Sequence, residues 1–289
     1  MLDELKFKFK QGNAIIQIIL VNVAFFVLFS LIGVFYYLYN LGGYSDHFLQ
    51  YLKLPASFIN FATQPWSILT SMFIHEGFFH LFFNMLWLYW LGNIFQEYLG
   101  NSKTYQAYFL GGIFGGLVYM IAFNVFPAFS NSVSVSYACG ASAGVLALVV
   151  ATATLLPDYE VFLFIIGSIR LKYIALLVVI IDIVSIPQGN PGGHLAHLGG
   201  AAFGYVFIKL IYSQSSIPNK LDKAFDGFGS MLQPKSKLKI HYKNPGMRVE
   251  SSNKATDAEI DLILEKIHKR GIDSLSKKEK DILSKASKE

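Results

Sequence analysis

The chain reads as an all-α polytopic membrane protein, a bundle of six transmembrane helices followed by a small C-terminal helical hairpin. Two observations predict this. Of 289 residues, 53% are hydrophobic and only 15% charged, with a mean hydropathy of +0.44, far from an ordinary soluble domain. Six apolar segments also approach the roughly 20 residues that cross a hydrocarbon core of about 30 Å. They run over 14–39, 78–98, 105–126, 138–156, 173–186 and 193–212.

The charged residues crowd the first ten positions and the stretch after Lys209. The net charge of +5 therefore describes the two ends of the chain and not a nucleic-acid-binding face. A single cysteine, Cys139, has no partner for an intramolecular disulfide.

Residues 1–13 form a cytoplasmic N-terminal segment in which Lys6, Lys8 and Lys10 precede the first span. No small-residue cleavage site follows, so that span is expected to stay uncleaved. Lys103, Arg170, Lys172, Lys209, Lys220 and Lys223 fall on the same side as these lysines, whereas the opposite loops offer only Lys53. By the positive-inside rule both termini are cytoplasmic. The long loop from Asn40 to Gly77 is rich in aromatic residues and is expected to lie against the bundle in the outer leaflet. The third segment carries Gly111, Gly112, Gly115 and Gly116, a pattern for close helix packing. The fifth is the shortest, and the apolar stretch Val161 to Ile169 before it is expected to lie along the interface.

The bundle thus occupies 14–213. A polar linker over 214–255 leads to a cytoplasmic hairpin over 256–289. There Thr256-x-x-Glu259 and Ser276-x-x-Glu279 are capping boxes, Gly271 stops the first helix, and Ile260, Ile263, Leu264 and Ile267 form one apolar stripe. Helices this short bury little area, so the stripe is expected to meet a protein partner, another copy or the bundle's cytoplasmic face.

With both ends inside, the second, fourth and sixth segments all start at the outer face. His80 and Asn84 open the second, Ser142 the fourth, and His194 and His197 the sixth. Each polar group costs on the order of 2–3 kcal/mol within a span, so several at one depth mark a functional site. His80 and Asn84, four apart, share one helix face and suit two donors aimed at one developing charge. Ser142 lies in the GxSxG run Gly140-Ala141-Ser142-Ala143-Gly144, where small neighbours expose the hydroxyl at a helix start and add a backbone N–H. Gly200 and Gly204 on the sixth segment repeat the spacing of Gly140 and Gly144 on the fourth. Close approach of these two helices would bring the Ser142 hydroxyl to the imidazole of His197, a nucleophile beside its base.

These residues resemble the rhomboid intramembrane serine proteases. The resemblance covers about Pro65 to Leu210 through PWSILTSMFIH, HLFFN, GNIFQEYLG, GASAG and AHLGGAAFG. It implies that Ser142 is the nucleophile and His197 the general base of a dyad without an aspartate, that His80, Asn84 and Ser142 serve the oxyanion, and that Glu97 is a structural carboxylate. It implies transmembrane protein substrates, a bilayer setting expected to be a bacterial inner membrane, and an active site opening outward. The tail from Asp257 is similar to a helical extension of some bacterial members. Two departures stand out. Ser67 follows Trp66 where the family usually has arginine, which leaves the loop without its usual anchor. Leu146 stands where an aromatic often stacks on the base, so another group must hold the imidazole.

Other chemistries fit less well. His75 and His80 are one residue too far apart for HExxH, and His194-x-x-His197 lacks its glutamate, so no metal ligand or cofactor is assigned. Asp182 is the only aspartate inside a span, one short of the pair that an aspartyl protease uses, and it is expected to accept an interhelical hydrogen bond. The alternative to a protease is a catalytically silent relative that binds transmembrane helices. Such relatives are expected to lack the serine or the histidine, and this chain keeps both.

Overall fold

A computed structural model describes residues 12–42, 48–163, 167–213, 220–222, 225 and 257–286. The chain divides into two compact units, 1–235 and 236–289.

In the first unit, α1 (Ala14–Leu38) starts at Asn13, whose side chain accepts from the Ile16 N–H. The loop that follows is structured. It contains β1 (Leu54–Pro55), α2 (Phe58–Thr63) and α3 (Ser67–Thr70). Trp66 Nε1 donates to the Tyr51 carbonyl at 2.9 Å and Thr70 Oγ1 to that of Leu52 at 2.8 Å. Lys53 pairs with Glu76 at 2.8 Å. These contacts anchor the loop without the arginine, and Ser67 is fully buried there.

Helix α4 (Phe78–Val125) is 48 residues long but breaks at Gly100, which takes φ 75° and ψ 179°. A left-handed φ of this kind suits glycine and ends the hydrogen-bond ladder. The chain reverses there. Beside α5 (Ser142–Leu155), His80 lies by Gly140 and the Leu91 carbonyl by Thr152, so the first half of α4 runs parallel to α5. Gly115 meets Ala143 and Gly111 meets Ala147, so the second half runs antiparallel. The two halves of α4 are the second and third segments of the sequence reading.

Two expectations need correction. The fourth helix begins at Ser142, not at Ala138, because Tyr137–Ala138 forms β2, paired antiparallel with β1, and Gly140 has φ 123°. The stretch from Val161 to Ile169, expected only as an apolar run along the interface, has a secondary structure of its own. Its described residues form a hairpin of β3 (Glu160–Leu163) and β4 (Gly167–Arg170), favoured by their β-branched residues.

Helices α6 (Leu171–Ser185) and α7 (Pro191–Tyr212) complete the bundle. Pro191 occupies the first turn of α7, and the Asn190 side chain accepts from the Gly193 N–H at 3.1 Å. Gly200 and Gly204 press on the backbone of α5. A Cβ at either position would lie 2.1 Å from the carbonyl oxygen of Ala143 or Ala147. The smooth residues of α5 facing α7 are therefore Ala143 and Ala147. Gly144 instead faces the Tyr108 backbone, and Gly140 faces the His80 ring. Among the described residues four helices, counting the 48-residue α4 as one and α6 with its continuation to Gln188, are long and apolar enough to cross a membrane, and α5 is a shorter apolar helix.

The second unit contains α8 (Asp257–Arg270) and α9 (Lys277–Ala286). Gly271, at φ 77°, ends α8 as expected. The second capping box forms, with Ser276 N donating to Glu279 Oε2 at 2.7 Å and Glu279 N to Ser276 Oγ at 3.4 Å. The first cannot be described, because Thr256 lies outside the described residues, as does most of the linker. Lys266 bridges to Glu279 at 2.8 Å, and Ile263 and Leu275 are buried in this unit.

Candidate active site

Because α5, α7 and the first half of α4 run parallel, their N-terminal turns meet at one end of the bundle. A cavity of about 500 Å³ opens among them, and Ser142, His197, His80 and Asn84 all line it. His194 is not among its lining residues.

The turn before Ser142 is fixed from three sides. Gly140 N donates to the Ser71 carbonyl at 2.9 Å, the β1–β2 pair holds Tyr137 and Ala138, and Ala141 N donates to His75 Nε2 at 3.4 Å. A side chain at position 140 would strike the His80 ring, its Cβ lying 2.8 Å from Nε2, so the glycine is what lets His80 close over this turn. The sequence reading considered His75 only as a failed metal ligand. It is buried against the turn, 5.1 Å from the His80 ring between centroids. Burial, with the neighbouring His80 charge second, pushes its imidazole down to about 4. A neutral ring keeps the lone pair that accepts from Ala141.

Cys139 also lines the cavity, three residues before Ser142. Burial pushes its thiol up to about 12, so it offers no thiolate to compete as nucleophile. Nearby, the hydrogen bond from Lys53 is the main cause holding the Glu76 carboxyl below its ordinary value.

Asn84 Nδ2 donates to the His80 carbonyl at 2.8 Å, which orients the amide and leaves its second N–H. His197 Nδ1 lies 2.9 Å from Asp182 Oδ1, and His194 Nδ1 lies 2.7 Å from the same oxygen. Asp182 therefore accepts interhelical hydrogen bonds as expected, but from the residue assigned as base. An aspartate thus stands beside the imidazole of the dyad that the resemblance implied to lack one. Ser142 and His197 share the cavity, and no hydrogen bond joins their side chains among the described contacts. Glu97 is solvent-exposed, while its neighbour Gln96 accepts from the Ile15 N–H at 2.9 Å. The structural polar contact at that end of the first half of α4 thus belongs to Gln96.

Fold and site together define a multi-pass helical membrane protein with a serine, histidines and a buried aspartate gathered at one end. The family profile described as "Rhomboid domain" matches residues 62–214, just over half of the chain. The chain belongs to the rhomboid family. A second profile, "Family of unknown function (DUF6576)", matches residues 248–289. Among curated proteins, "Rhomboid-like protein 11, chloroplastic" from Arabidopsis thaliana is 29% identical over 216 residues, covering 70% of this chain and 66% of that protein. "Rhomboid protease GlpG" from Serratia proteamaculans is 26% identical over 121 residues, 37% of this chain and 39% of its own length. "Inactive RHOMBOID-like protein 8" from Arabidopsis thaliana is 34% identical over 82 residues, 28% and 23% respectively. The matches span from about a quarter to about two thirds of these relatives' lengths.

Proposed function

We propose that the chain is an intramembrane serine endopeptidase that hydrolyses peptide bonds in or near the transmembrane segments of other membrane proteins. The observation that carries this reading is the convergence of Ser142, His197, His80 and Asn84 on one cavity, with His197 Nδ1 against Asp182. Family membership supports it, as does the relative named as a protease.

In this reading His197 Nδ1 carries the proton that it donates to Asp182, so the ring's Nε2 presents a lone pair. Nε2 takes the Ser142 proton as Oγ attacks the scissile carbonyl, and Asp182 stabilises the imidazolium that forms. His80, the free Asn84 N–H and the Ser142 backbone N–H stabilise the tetrahedral oxyanion. Nε2–H then protonates the leaving amine, and water releases the acyl-enzyme by the same steps in reverse roles. A substrate helix must unwind to present its carbonyl, since a helix satisfies its own backbone groups. Cleavage is therefore expected at the outer end of a substrate span, near small or helix-destabilising residues. The setting is a bacterial inner membrane with both termini cytoplasmic and the site opening outward. The bundle crosses it six times, with α4 crossing twice, and the C-terminal helices meet a partner protein or a second copy.

The test is labelling of the purified protein by a fluorophosphonate serine-hydrolase probe, combined with mapping of product termini from a single-span substrate. Labelling is expected in wild type and not in Ser142→Ala. Absence of labelling and cleavage in folded wild type would favour a silent helix-binding protein; one relative's name declares that relative inactive.

A further inference from the structure

We propose that Asp182, His194 and His197 form a binding site for a divalent transition metal ion of the zinc class, and that its occupation switches proteolysis off. The binding half stands on geometry alone. The inhibitory half rests on the reading of His197 as the general base.

One donor atom from each residue lies within 4.8 Å of the others. Asp182 Oδ1 is already 2.7 Å from His194 Nδ1 and 2.9 Å from His197 Nδ1. Ligands at about 2.0–2.2 Å from a tetrahedral zinc ion stand roughly 3.3–3.6 Å apart, so an ion needs each imidazole nitrogen to draw back from the carboxylate oxygen by roughly 0.4–0.9 Å. Two imidazoles and one carboxylate, with a fourth position left to water, is a donor set that zinc uses, whereas calcium and magnesium favour oxygen donors throughout. The histidines lie three apart on one face of α7, and the carboxylate comes from α6, so neighbouring helices close the site.

Asp182 supplies a second, independent sign. Its residue is 4% exposed, yet Oδ2 has no hydrogen-bond partner among the described residues. A buried carboxylate oxygen left bare is costly. Hydrogen bonding alone puts two ring nitrogens on one oxygen and leaves the other oxygen empty. A cation between the three groups would use that carboxylate's full charge. The histidine side chains are 22% and 25% exposed, which gives an ion a way in. The sequence pattern could not reveal the trio, because the carboxylate lies twelve residues before His194 in another helix.

Metal binding and base catalysis exclude each other at His197. A neutral imidazole carries one N–H, and coordination uses the Nδ1 lone pair. The proton must then reside on Nε2, with no net proton lost. Nε2 becomes a donor and cannot accept the Ser142 proton, and Asp182 is drawn to the ion and away from the imidazolium it would stabilise.

The experiment uses the full chain in detergent, stripped with a chelator, with cobalt(II) as the spectroscopic probe and zinc chloride as the inhibitor. In the Ser142→Ala chain, cobalt is expected to produce visible d–d absorption that saturates at one ion per chain and is displaced by zinc. The band should vanish on adding D182A or H194A. In wild type, micromolar zinc should lower turnover of a transmembrane substrate by at least about tenfold, reversibly with chelator. In H194A the ratio of turnover without zinc to turnover with zinc should fall close to one. A chain that gives no cobalt band, or zinc inhibition undiminished in H194A, overturns the proposal, and H194A remains decisive should D182A fail to fold. If metal-free wild type shows no turnover, the proteolytic reading fails and the cobalt band still decides the site.

Discussion

The two ends of the bundle are both polar, yet they are built in opposite ways. At the end away from Ser142, side chains pair mainly with one another and with helix termini. Ala14 N donates to Asn101 Oδ1 at 3.2 Å, Tyr105 OH bonds Gln17, and Asp222 receives Ser102 Oγ at 2.9 Å, Gln106 Nε2 at 2.8 Å and an ion pair from Lys103. At the other end, Ser142, His80, Asn84 and His197 line an open cavity, and Asp182 keeps a bare oxygen. The first arrangement uses most of its hydrogen-bonding capacity to fix helix ends, although Gln17 Nε2 and Gln106 Oε1 have no partner there among the described residues. The second leaves capacity for a substrate or an ion, as sites of function do.

The comparison breaks most visibly through turnover. Ser142→Ala and His197→Ala are each expected to abolish cleavage of a transmembrane substrate, and the double variant to be no worse, because nucleophile and base act as a unit. If either single variant kept most of its activity, the open end would not be the catalytic one. Next in size, Asp182→Asn should cost roughly 10²-fold to 10⁴-fold in kcat with KM and melting temperature nearly unchanged, since the amide no longer stabilises an imidazolium. A purely structural aspartate would lower the melting temperature instead. His80→Ala or Asn84→Ala removes one of several oxyanion donors and should cost roughly 10²-fold to 10³-fold in kcat.

The paired end should answer in stability, not rate. Asp222→Ala removes the carboxylate that accepts from Ser102, Gln106 and Lys103 and should destabilise the bundle by roughly 1–2 kcal/mol, with kcat unchanged. A melting curve and an assay on the same sample test it. The smallest effect concerns His75. Its folded-state value of about 4 lies below the ordinary value of 6.5, so the stability contributed by the neutral ring is complete above about pH 6.5 and drains away as pH falls toward 4. Melting temperature between pH 7 and pH 5 should fall more steeply in wild type than in His75→Gln, whose amide is indifferent to pH.

Much of the site was legible because its residues sit at helix starts with fixed local spacing. Ser142, His80, Asn84 and His197 needed only a helix period and the alternation of spans to be placed at one level. Asp182 was seen as an interhelical acceptor, but its partner depends on the rotation of α6 against α7, which no local pattern carries. His75 acts through a folded loop whose path the sequence does not encode by period. The Gly140 and Gly144 spacing did not make the smooth face expected of it: Gly140 precedes the helix and lies against His80, Gly144 faces Tyr108, and α7 packs on Ala143 and Ala147 instead. Glu97 and Gln96 differ by one position, about 100° around a helix, enough to exchange a hydrogen-bonded, half-buried place for an exposed one. The run from Val161 to Ile169 was too short for its period to separate strand from interfacial segment.

The pairing of Leu54–Pro55 with Tyr137–Ala138 has a mechanical consequence. The Ala56 N–H extends it by bonding the Ser136 carbonyl at 3.0 Å, so the long loop and the turn before Ser142 are riveted together. A force that lifts the loop is delivered to the backbone just before Ser142, as through a lever. An antibody fragment gripping only residues around the exposed Phe58 and Ile59 of that loop would then alter the rate from a distance, without ever entering the cavity.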